Sequence, residues 1–233
     1  MQPSKTSPKK YLKHYLSKSL FMRGYRCHRA LWLQKYHPEQ HDETSDELEE
    51  AFEAGIDFGE QMQSLFPGGV EIPYDDLSLD DQVAMTQFEI EKGTGTIYEA
   101  AFWHDTIFCR VDILRRNGNE WELYEVKLTD TVKEFHCYDA GLQFLVLTGA
   151  GYAVSRVCIV HPDHQKVMEA SQPGGLITDI TSQVISLLPN IRKEIAAQRT
   201  MLSGALPAAD SCGKKCHLPY PCDFMNACRL MPG

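Results

Sequence analysis

Apolar and polar residues alternate between residues 110 and 127, and this pattern predicts two antiparallel strands joined by a tight turn. Asn117-Gly118 supplies the turn signal, because this dipeptide between alternating hydrophobic residues is typical of a two-residue hairpin loop. With both residues in the loop, Asp112 pairs with Leu123. Paired side chains share one face of a sheet, and every second residue returns to that face. The pattern therefore places three charged side chains on one face: Asp112, Glu125 and Lys127.

A second hairpin precedes this one. Residues 96–114 alternate on both sides of a tight turn near His104-Asp105. That turn pairs Glu99 with Arg110 and adds Glu99 to the same charged face. Glu99 follows two apolar residues on a strand that we expect to be mostly buried, which favours a functional role for it.

Helical patterns surround these strands. Thr44-x-x-Glu47 is a capping box that opens a helix reaching about residue 66. Ser78 or Asp80 caps a second helix, which ends at Gly93. The other predicted elements are an N-terminal helix pair with a turn near Gly24, a helix over 131–147, a buried strand over 152–160 and a helix over 180–203 interrupted at Pro189. This order predicts an α/β fold with a mixed central sheet flanked by helices.

Length and composition predict one domain with a short tail. The chain has 233 residues, of which 43% are hydrophobic, enough for a substantial core. Residues 1–10 are predicted to be a disordered tail and residues 11–233 a single domain. The sequence contains neither a run of transmembrane length nor an apolar signal-peptide centre. We therefore expect a cytoplasmic protein without a membrane partner.

The charge of the chain is unevenly distributed. The net charge is −9, yet residues 1–38 contain nine Lys and Arg and no acidic residue. The remainder has 14 basic and 32 acidic residues, a net charge of −18. Two interpretations stay open, a phosphate-facing surface on an acidic body and a solubilising basic tail.

Cysteines concentrate near the C-terminus. Four of the eight cysteines fall within seventeen residues, among Pro and Gly: Cys212, Cys216, Cys222 and Cys228. Three others lie in apolar runs and are predicted to be core residues: Cys109, Cys137 and Cys158. The C-terminal group has too few apolar neighbours for that role, so metal ligation is favoured. The spacing leaves tetrahedral zinc, with His217 as a further candidate ligand, and an iron–sulfur cluster open.

The charged sheet face predicts a divalent cation site. Two carboxylates and an amine that converge on one face are costly unless something uses them. Mg²⁺ prefers one or two carboxylates together with phosphate oxygens of a substrate. The alternative is an exposed cross-strand ladder of ion pairs with Arg110, which would stabilise the sheet by only about 0–1 kcal/mol per pair.

These residues resemble a known nuclease signature. Asp112 followed by Glu125-Val126-Lys127 is similar to the motif of the PD-(D/E)XK superfamily. Tyr138 and Gln143 in the following helix resemble the Q/Y motif of RecB-like nucleases. RecB-like nucleases with an iron–sulfur cluster, such as the CRISPR-adaptation exonucleases, hold it with one upstream and three C-terminal cysteines. The matching residues here are Cys27, Cys216, Cys222 and Cys228, so the resemblance extends from about Leu16 to Cys228.

The resemblance implies a fold, an activity and cofactors. The fold would be a restriction-endonuclease-like core with a cysteine-rich region joining the two termini. The activity would be metal-dependent cleavage of single-stranded DNA or duplex ends, as an exonuclease, with protein partners in DNA processing or defence. The cofactors would be a [4Fe–4S] cluster and Mg²⁺ or Mn²⁺. The implied roles are metal binding by Asp112, Glu125 and the Val126 carbonyl, charge stabilisation by Lys127, and strand positioning by Tyr138 and Gln143.

The sequence departs from the family pattern at two places. RecB-like nucleases have a metal-binding His in a G-x-x-x-H-E helix motif, and here Gly59 stands at the His position before Glu60. Three interpretations stay open: Glu60 supplies the missing ligand, Glu99 supplies it, or the metal site is weakened. Glu60 also fits an ordinary solvated helix face. Cys212 is a fifth candidate for a four-ligand cluster, and Cys216 matches the family's closing segment better.

Two other functions remain compatible with the sequence. One is a nuclease-fold module that binds nucleic acid or protein, is stapled by a cluster or zinc, and lacks catalysis, which the missing His favours. The other is a zinc-stabilised scaffold domain that binds a protein partner.

Overall fold

The computed structural model of the protein describes residues 15–163, 174–204, 213–217 and 220–231. The chain forms two compact units. A terminal unit combines both ends of the chain, residues 1–43 and 193–233, and a central unit comprises residues 44–192. The tail predicted over residues 1–10 lies outside the described residues.

A mixed sheet forms the core of the central unit. Its strands are Val70–Glu71 (β2), Thr96–His104 (β3), Ile107–Asn117 (β4), Glu120–Val126 (β5), Val154–Pro162 (β6) and Gly175–Asp179 (β7), and the two-residue strand Leu16–Ser17 (β1) belongs to the terminal unit. The order in the central unit is β2-β3-β4-β5-β6-β7. The β2–β3 and β5–β6 pairs are parallel, and the other pairs are antiparallel. β2 and β7 were not expected from the sequence.

Helices flank this sheet, which confirms the predicted α/β fold class. The helices of the central unit are Asp46–Gln63 (α3), Leu79–Lys92 (α4), Glu134–Gly149 (α5) and the first half of Thr181–Ser203 (α6). The terminal unit contains Lys18–Arg26 (α1), His28–Tyr36 (α2), Met225–Leu230 (α7) and 3-10 turns at Pro38–Gln40 and Lys214–Cys216. Ser78 caps α4 by accepting from Asp81 N, and Gly93 ends it with φ 91°, both as predicted. α4 also protects the edge of β3, since Ala101 N donates to Thr86 Oγ1 at 2.9 Å.

The two faces of the sheet carry different residues. Buried Tyr98, Ile113 and Tyr124 form one face with Cys158, and Met62 of α3 packs against it together with Phe66, which follows that helix. Asp112 and Glu125 each neighbour one of these residues along their strands, so they lie on the opposite face. α5 covers that opposite face. The three cysteines that were predicted to be core residues are buried: Cys109, Cys137 and Cys158.

The β4–β5 hairpin has a different loop from the predicted one. Asn117 pairs with Glu120, so the loop residues are Gly118 and Asn119. Gly118 takes the positive φ of 61° that this loop requires. The register therefore shifts by two residues, which keeps every side chain on its predicted face. Asp112 comes to lie across from Glu125 instead of Leu123, because Ile113 pairs with Tyr124.

The β3–β4 loop lies one residue later than predicted. Its residues are Asp105 and Thr106, with φ of 45° and 59°, the conformation of a type I′ turn. As a result the predicted pairing of Glu99 with Arg110 is wrong, and Arg110 pairs with Ala101.

Helix α3 begins without the predicted capping box. Its N-cap is Ser45, and that side chain makes no capping hydrogen bond. Thr44 therefore does not cap the helix. Acidic side chains in the first turn stabilise the N-terminal end of the helix dipole instead: Asp46, Glu47 and Glu49.

Two predicted helix breaks are also wrong. The first two helices separate at Cys27, and Gly24 lies inside α1. The Gln198 side chain lies so close to Gly24 that a Cβ at this position would overlap it. α6 continues through Pro189 as one helix. The buried residues Val184 and Ile191 on either side anchor it, which offsets the hydrogen bond lost at proline.

Candidate active site

Glu125 is the most deeply buried charged residue of the candidate site, with a relative exposure of 0%. Lys127 Nζ lies 2.5 Å from its Oε1, and Gln143 Nε2 donates to its Oε2 at 2.6 Å. A buried carboxylate is costly unless it is paired and hydrogen-bonded. The strand end and α5 supply both partners, so the orientation of the Glu125 carboxylate is fixed before any ligand binds.

Lys127 connects Glu125 to a second carboxylate on α5. Its Nζ is 2.7 Å from Asp139 Oδ2, and Asp139 is 6% exposed. Asp139 was not singled out from the sequence. The signal was present, because Asp139 precedes Gln143 by four residues and so lies on the same helix face. When all three groups are ionised, Lys127, Glu125 and Asp139 together carry a net charge of −1.

Asp112 completes a row of carboxylates across the strands. Its Oδ2 accepts from the backbone N of Val126 at 2.7 Å. This bond ties the end of β5 to β4 and holds Val126 between the two acidic positions. The predicted sharing of one face by Asp112, Glu125 and Lys127 is therefore reproduced in the structure.

Glu99 on β3 has an unusual backbone. Its φ is 54° within a strand, and its neighbours Tyr98 and Ala100 pair with β4 around the position of Asp112. A positive φ at a non-glycine residue costs on the order of 1–3 kcal/mol and is concentrated at functional sites. Glu99 Oε2 lies 3.7 Å from Arg110 Nε, so the side chains meet although the backbones do not pair.

Arg110 is held beside these acidic residues by an aromatic ring. Its guanidinium carbon lies 4.0 Å from the centroid of the Tyr74 ring. Burial raises the pKa of Tyr74, and the charge of Glu99 acts in the same direction. A second cation therefore stands near the row of carboxylates, in a fixed position.

Two buried histidines border the site. His136 on α5 has a pKa lowered to about 4 by burial, and then by the charges of Lys127 and Lys133. Its Nδ1 accepts from Lys133 N at 3.1 Å, which fits a neutral ring with its proton on Nε2. His161 on β6 is buried, and its Nε2 is 2.9 Å from Thr178 Oγ1. His161 lies two residues after Ile159, the partner of Glu125, so the pairing of β6 with β5 places it here and the local sequence does not indicate it.

The structure places the predicted site residues Tyr138 and Glu60 in different surroundings. Tyr138 is buried on α5, one residue before Asp139. Glu60 is exposed on α3, the helix that packs against the other face of the sheet. The structure therefore does not bring Glu60 to Asp112 and Glu125.

The side chains that are available as ligands determine which metal ions the site can bind. Among the described residues, no group of three or more His, Cys, Asp or Glu is arranged to hold a metal ion. A closed structural zinc site needs four such ligands. Mg²⁺ needs only one or two carboxylates, with water and substrate oxygens completing its shell. Asp112 and Glu125 fit the second kind of site.

In the terminal unit, cysteines from both ends of the chain come together. Cys27, between α1 and α2, belongs to a buried cluster with Phe224, and Cys222 packs against this cluster. Burial raises the pKa of the Cys222 thiol, and the nearby Cys27 adds to the effect. Cys222 N donates to Cys216 O at 2.7 Å, and Arg29 Nη1 is 3.8 Å from Cys228 Sγ. Cys212 lies outside the described residues. As placed, these thiols do not form a four-ligand site.

Protein contacts alone already tie the C-terminal segment to the N-terminal one. Asp223 forms an ion pair with Arg23, and its Oδ2 is 3.0 Å from His41 Nε2. Burial alone would raise the pKa of Asp223, but the Arg23 hydrogen bond and charge hold it below its usual value. Arg26 Nε adds a bond of 2.9 Å to Lys215 O.

Comparisons with known proteins give matches only among solved structures. No family model and no curated protein matches the chain. A crystal structure of LHK-Exo in complex with dAMP matches with a TM-score of 0.43 and 13% identity, over 82% of this chain and 90% of that chain. A crystal structure of an alkaline exonuclease, LHK-Exo from Laribacter hongkongensis, matches with a TM-score of 0.32 and 12% identity, over 84% and 96%. These values are too low to support an argument about activity.

No helix in the described part of the chain is long and apolar enough to cross a membrane.

Proposed function

We propose that the protein is a metal-dependent nuclease that cleaves phosphodiester bonds in DNA. The observation that carries this proposal is the buried Glu125, fixed by Lys127 and Gln143 and lying across from Asp112. A simple ion-pair ladder would be exposed to solvent and would not bury a carboxylate completely. The arrangement instead holds Glu125 and Lys127 in fixed positions at which a ligand could bind.

In this proposal Asp112, Glu125 and the Val126 carbonyl hold Mg²⁺ or Mn²⁺. Such an ion polarises a phosphate and lowers the pKa of a bound water. The chain's own part is positioning: Gln143 fixes Glu125, and the Val126 amide fixes Asp112. Gln143 Oε1 is buried without a hydrogen-bond partner among the described residues, so it can accept a hydrogen bond from a water in the site.

Lys127 has the features of a group that stabilises negative charge on phosphorus. It is a compact cation on the carboxylate face, and Asp139 and Glu125 restrict its motion. A preorganised cation aimed at developing charge contributes more than a mobile one. Tyr138 is proposed to position the strand, and Glu99 is proposed as the third carboxylate in place of Glu60.

A second proposal concerns the terminal unit. We propose that Cys27, Cys216, Cys222 and Cys228 bind a [4Fe–4S] cluster, with Cys212 as the alternative ligand. Support comes from the packing of Cys27 and Cys222 against one buried cluster. Because the thiols do not form a closed site as placed, binding would require the C-terminal segment to rearrange. It would also release the proton that burial keeps on Cys222.

The experiment for the nuclease proposal is cleavage of end-labelled single-stranded and duplex DNA with Mg²⁺ or Mn²⁺. We expect cleavage that stops when EDTA removes the metal. Binding of DNA without cleavage under any metal condition would instead support the catalytically inert module. Absence of both binding and cleavage would favour the scaffold function.

A further inference from the structure

The terminal unit contains a cavity that the candidate active site does not use. Its volume is about 410 Å³, within the range of small-ligand pockets. Six polar residues line it: Tyr15, Ser17, Ser19, Arg23, Gln34 and Lys35. None of the described residues that line it is acidic. The lining is therefore rich in hydrogen-bond donors and suited to an anion.

The two cations of the cavity are not equivalent. Arg23 already forms an ion pair with Asp223, and its guanidinium carbon lies 5.4 Å from the Phe224 ring centroid. Lys35 Nζ lies 3.9 Å from the Tyr15 ring centroid. Within the described parts of the chain, no carboxylate forms an ion pair with Lys35. Of these two cations, Lys35 is therefore the one without a compensating negative charge from a described residue.

The environment of Lys35 indicates that its ammonium group has lost part of its hydration. Burial lowers the pKa of Lys35 to about 8, and no acidic residue acts against this shift. Partly buried charges in proteins are normally paired. An anion in the cavity would supply the partner that the described residues do not provide.

We propose that this cavity binds a phosphate group of a nucleotide unit, with Lys35 as the charged partner. The Ser17 and Ser19 hydroxyls share a hydrogen bond of 2.9 Å, which leaves one of them to donate to a ligand, and the Gln34 amide is a further donor. A phosphate has enough acceptor oxygens for all of these groups, and lysine binds phosphate as a point charge. The choice of a nucleic-acid strand as the source rests on the proposed function, and a free mononucleotide is the other source.

The first test measures binding in EDTA, so that it does not depend on cleavage. Fluorescence anisotropy would give the Kd of a labelled single-stranded oligonucleotide for wild type, Lys35→Met and Lys193→Met. Lys193 is exposed in the same unit, and its loss removes an equal charge. We expect Lys35→Met to raise the Kd about tenfold, the effect of losing one hydrogen bond to a charged group. Lys193→Met should change the Kd little. Equal effects of the two variants, or none, would overturn the proposal.

The second test uses the wild-type protein alone. An amine with a pKa of about 8 reacts readily with acylating reagents near that pH, so mass spectrometry can follow labelling of Lys35. We expect thymidine 5′-monophosphate or the oligonucleotide to protect Lys35. Protection by both identifies a mononucleotide site, and protection by the oligonucleotide alone identifies a strand-binding site. Protection by neither would refute the cavity as a phosphate site, whatever the cleavage assay shows.

Discussion

At the scale of single residues, Glu99 combines a strained backbone with a position across from Asp112. The strain at φ 54° persists only because the surrounding strands enforce it. It directs an acidic side chain toward Arg110, beside the carboxylate row. This conformation is the reason why we propose Glu99, and not Glu60, as the third carboxylate of the site.

The first prediction compares these two glutamates. Glu99→Gln should lower metal-dependent cleavage by about 10-fold to 100-fold, the range seen when a group that supports a metal site is lost. Glu60→Gln should leave cleavage unchanged, because Glu60 is exposed on the other side of the sheet. Initial rates at several Mn²⁺ concentrations measure the effect. Near-normal rates for Glu99→Gln would remove Glu99 from the site.

The second prediction concerns pH and His136. Its pKa in the folded state is about 4, below that of an unfolded histidine, so the unfolded chain binds more protons between about pH 4 and 6.5. Stability should therefore fall as pH drops through this window, by on the order of 1–3 kcal/mol from this group. Urea unfolding at pH 7 and pH 5 measures the change. His136→Gln should show a smaller pH dependence than wild type, and an equal one would contradict the assignment.

Sequence reasoning identified part of the candidate site. Asp112, Glu125 and Lys127 followed from strand period alone, which holds even when a register shifts by two. The spacing of Asp139 and Gln143 shows that they share a helix face, but the contact of Asp139 with Lys127 depends on how α5 packs on the sheet. His161 depends on the pairing of β6 with β5 and does not follow from a local pattern. The positive φ of Glu99 depends on three adjacent strands, so local propensity gave no sign of it.

At the scale of elements, α5 determines the geometry of the site. It presents Asp139 and Gln143 to the end of β5, and it approaches α6 closely at Gly141, where a Cβ would overlap Ile191. The sequence placed α5 within a few residues of its true bounds. The two hairpin loops were shifted because several polar residues compete for the turn positions, and cross-strand packing decides between them.

The third prediction tests the contact between α5 and α6. Gly141→Val should lower the free energy of unfolding by about 1–3 kcal/mol, because the added methyl groups meet Ile191. Gly141→Val combined with Ile191→Ala should recover part of this loss. Urea unfolding of the two single variants and the double variant gives the coupling energy. Strict additivity would show that the helices do not meet at this position.

At the scale of the whole molecule, residues from the two chain ends form one unit. Cys27 and Cys222 meet there although 194 residues separate them in the sequence. Joining such distant segments removes much entropy from the unfolded chain. A metal bound by both would add its binding free energy to folding.

The fourth prediction concerns the proposed cluster. Anaerobically purified protein should show the visible absorption of a thiolate-bound cluster. Cys27→Ser, Cys216→Ser, Cys222→Ser and Cys228→Ser should each remove the colour and lower the melting temperature. Cys109→Ser and Cys158→Ser are matched controls that should keep the colour, and Cys212→Ser should also keep it. Colourless protein with stoichiometric zinc would refute the cluster.

The most direct test of the proposed catalytic centre compares two glutamates on β5. Glu125→Gln keeps the shape of the side chain but removes its charge, and it should reduce Mg²⁺-dependent DNA cleavage by about 100-fold or more while the fold persists. Glu122→Gln is the control, because Glu122 accepts from Tyr124 Oη at 2.7 Å on the opposite face and a glutamine retains that acceptor. It should cleave at the wild-type rate. Equal rates for Glu125→Gln and wild type would contradict a catalytic centre at this face of the sheet.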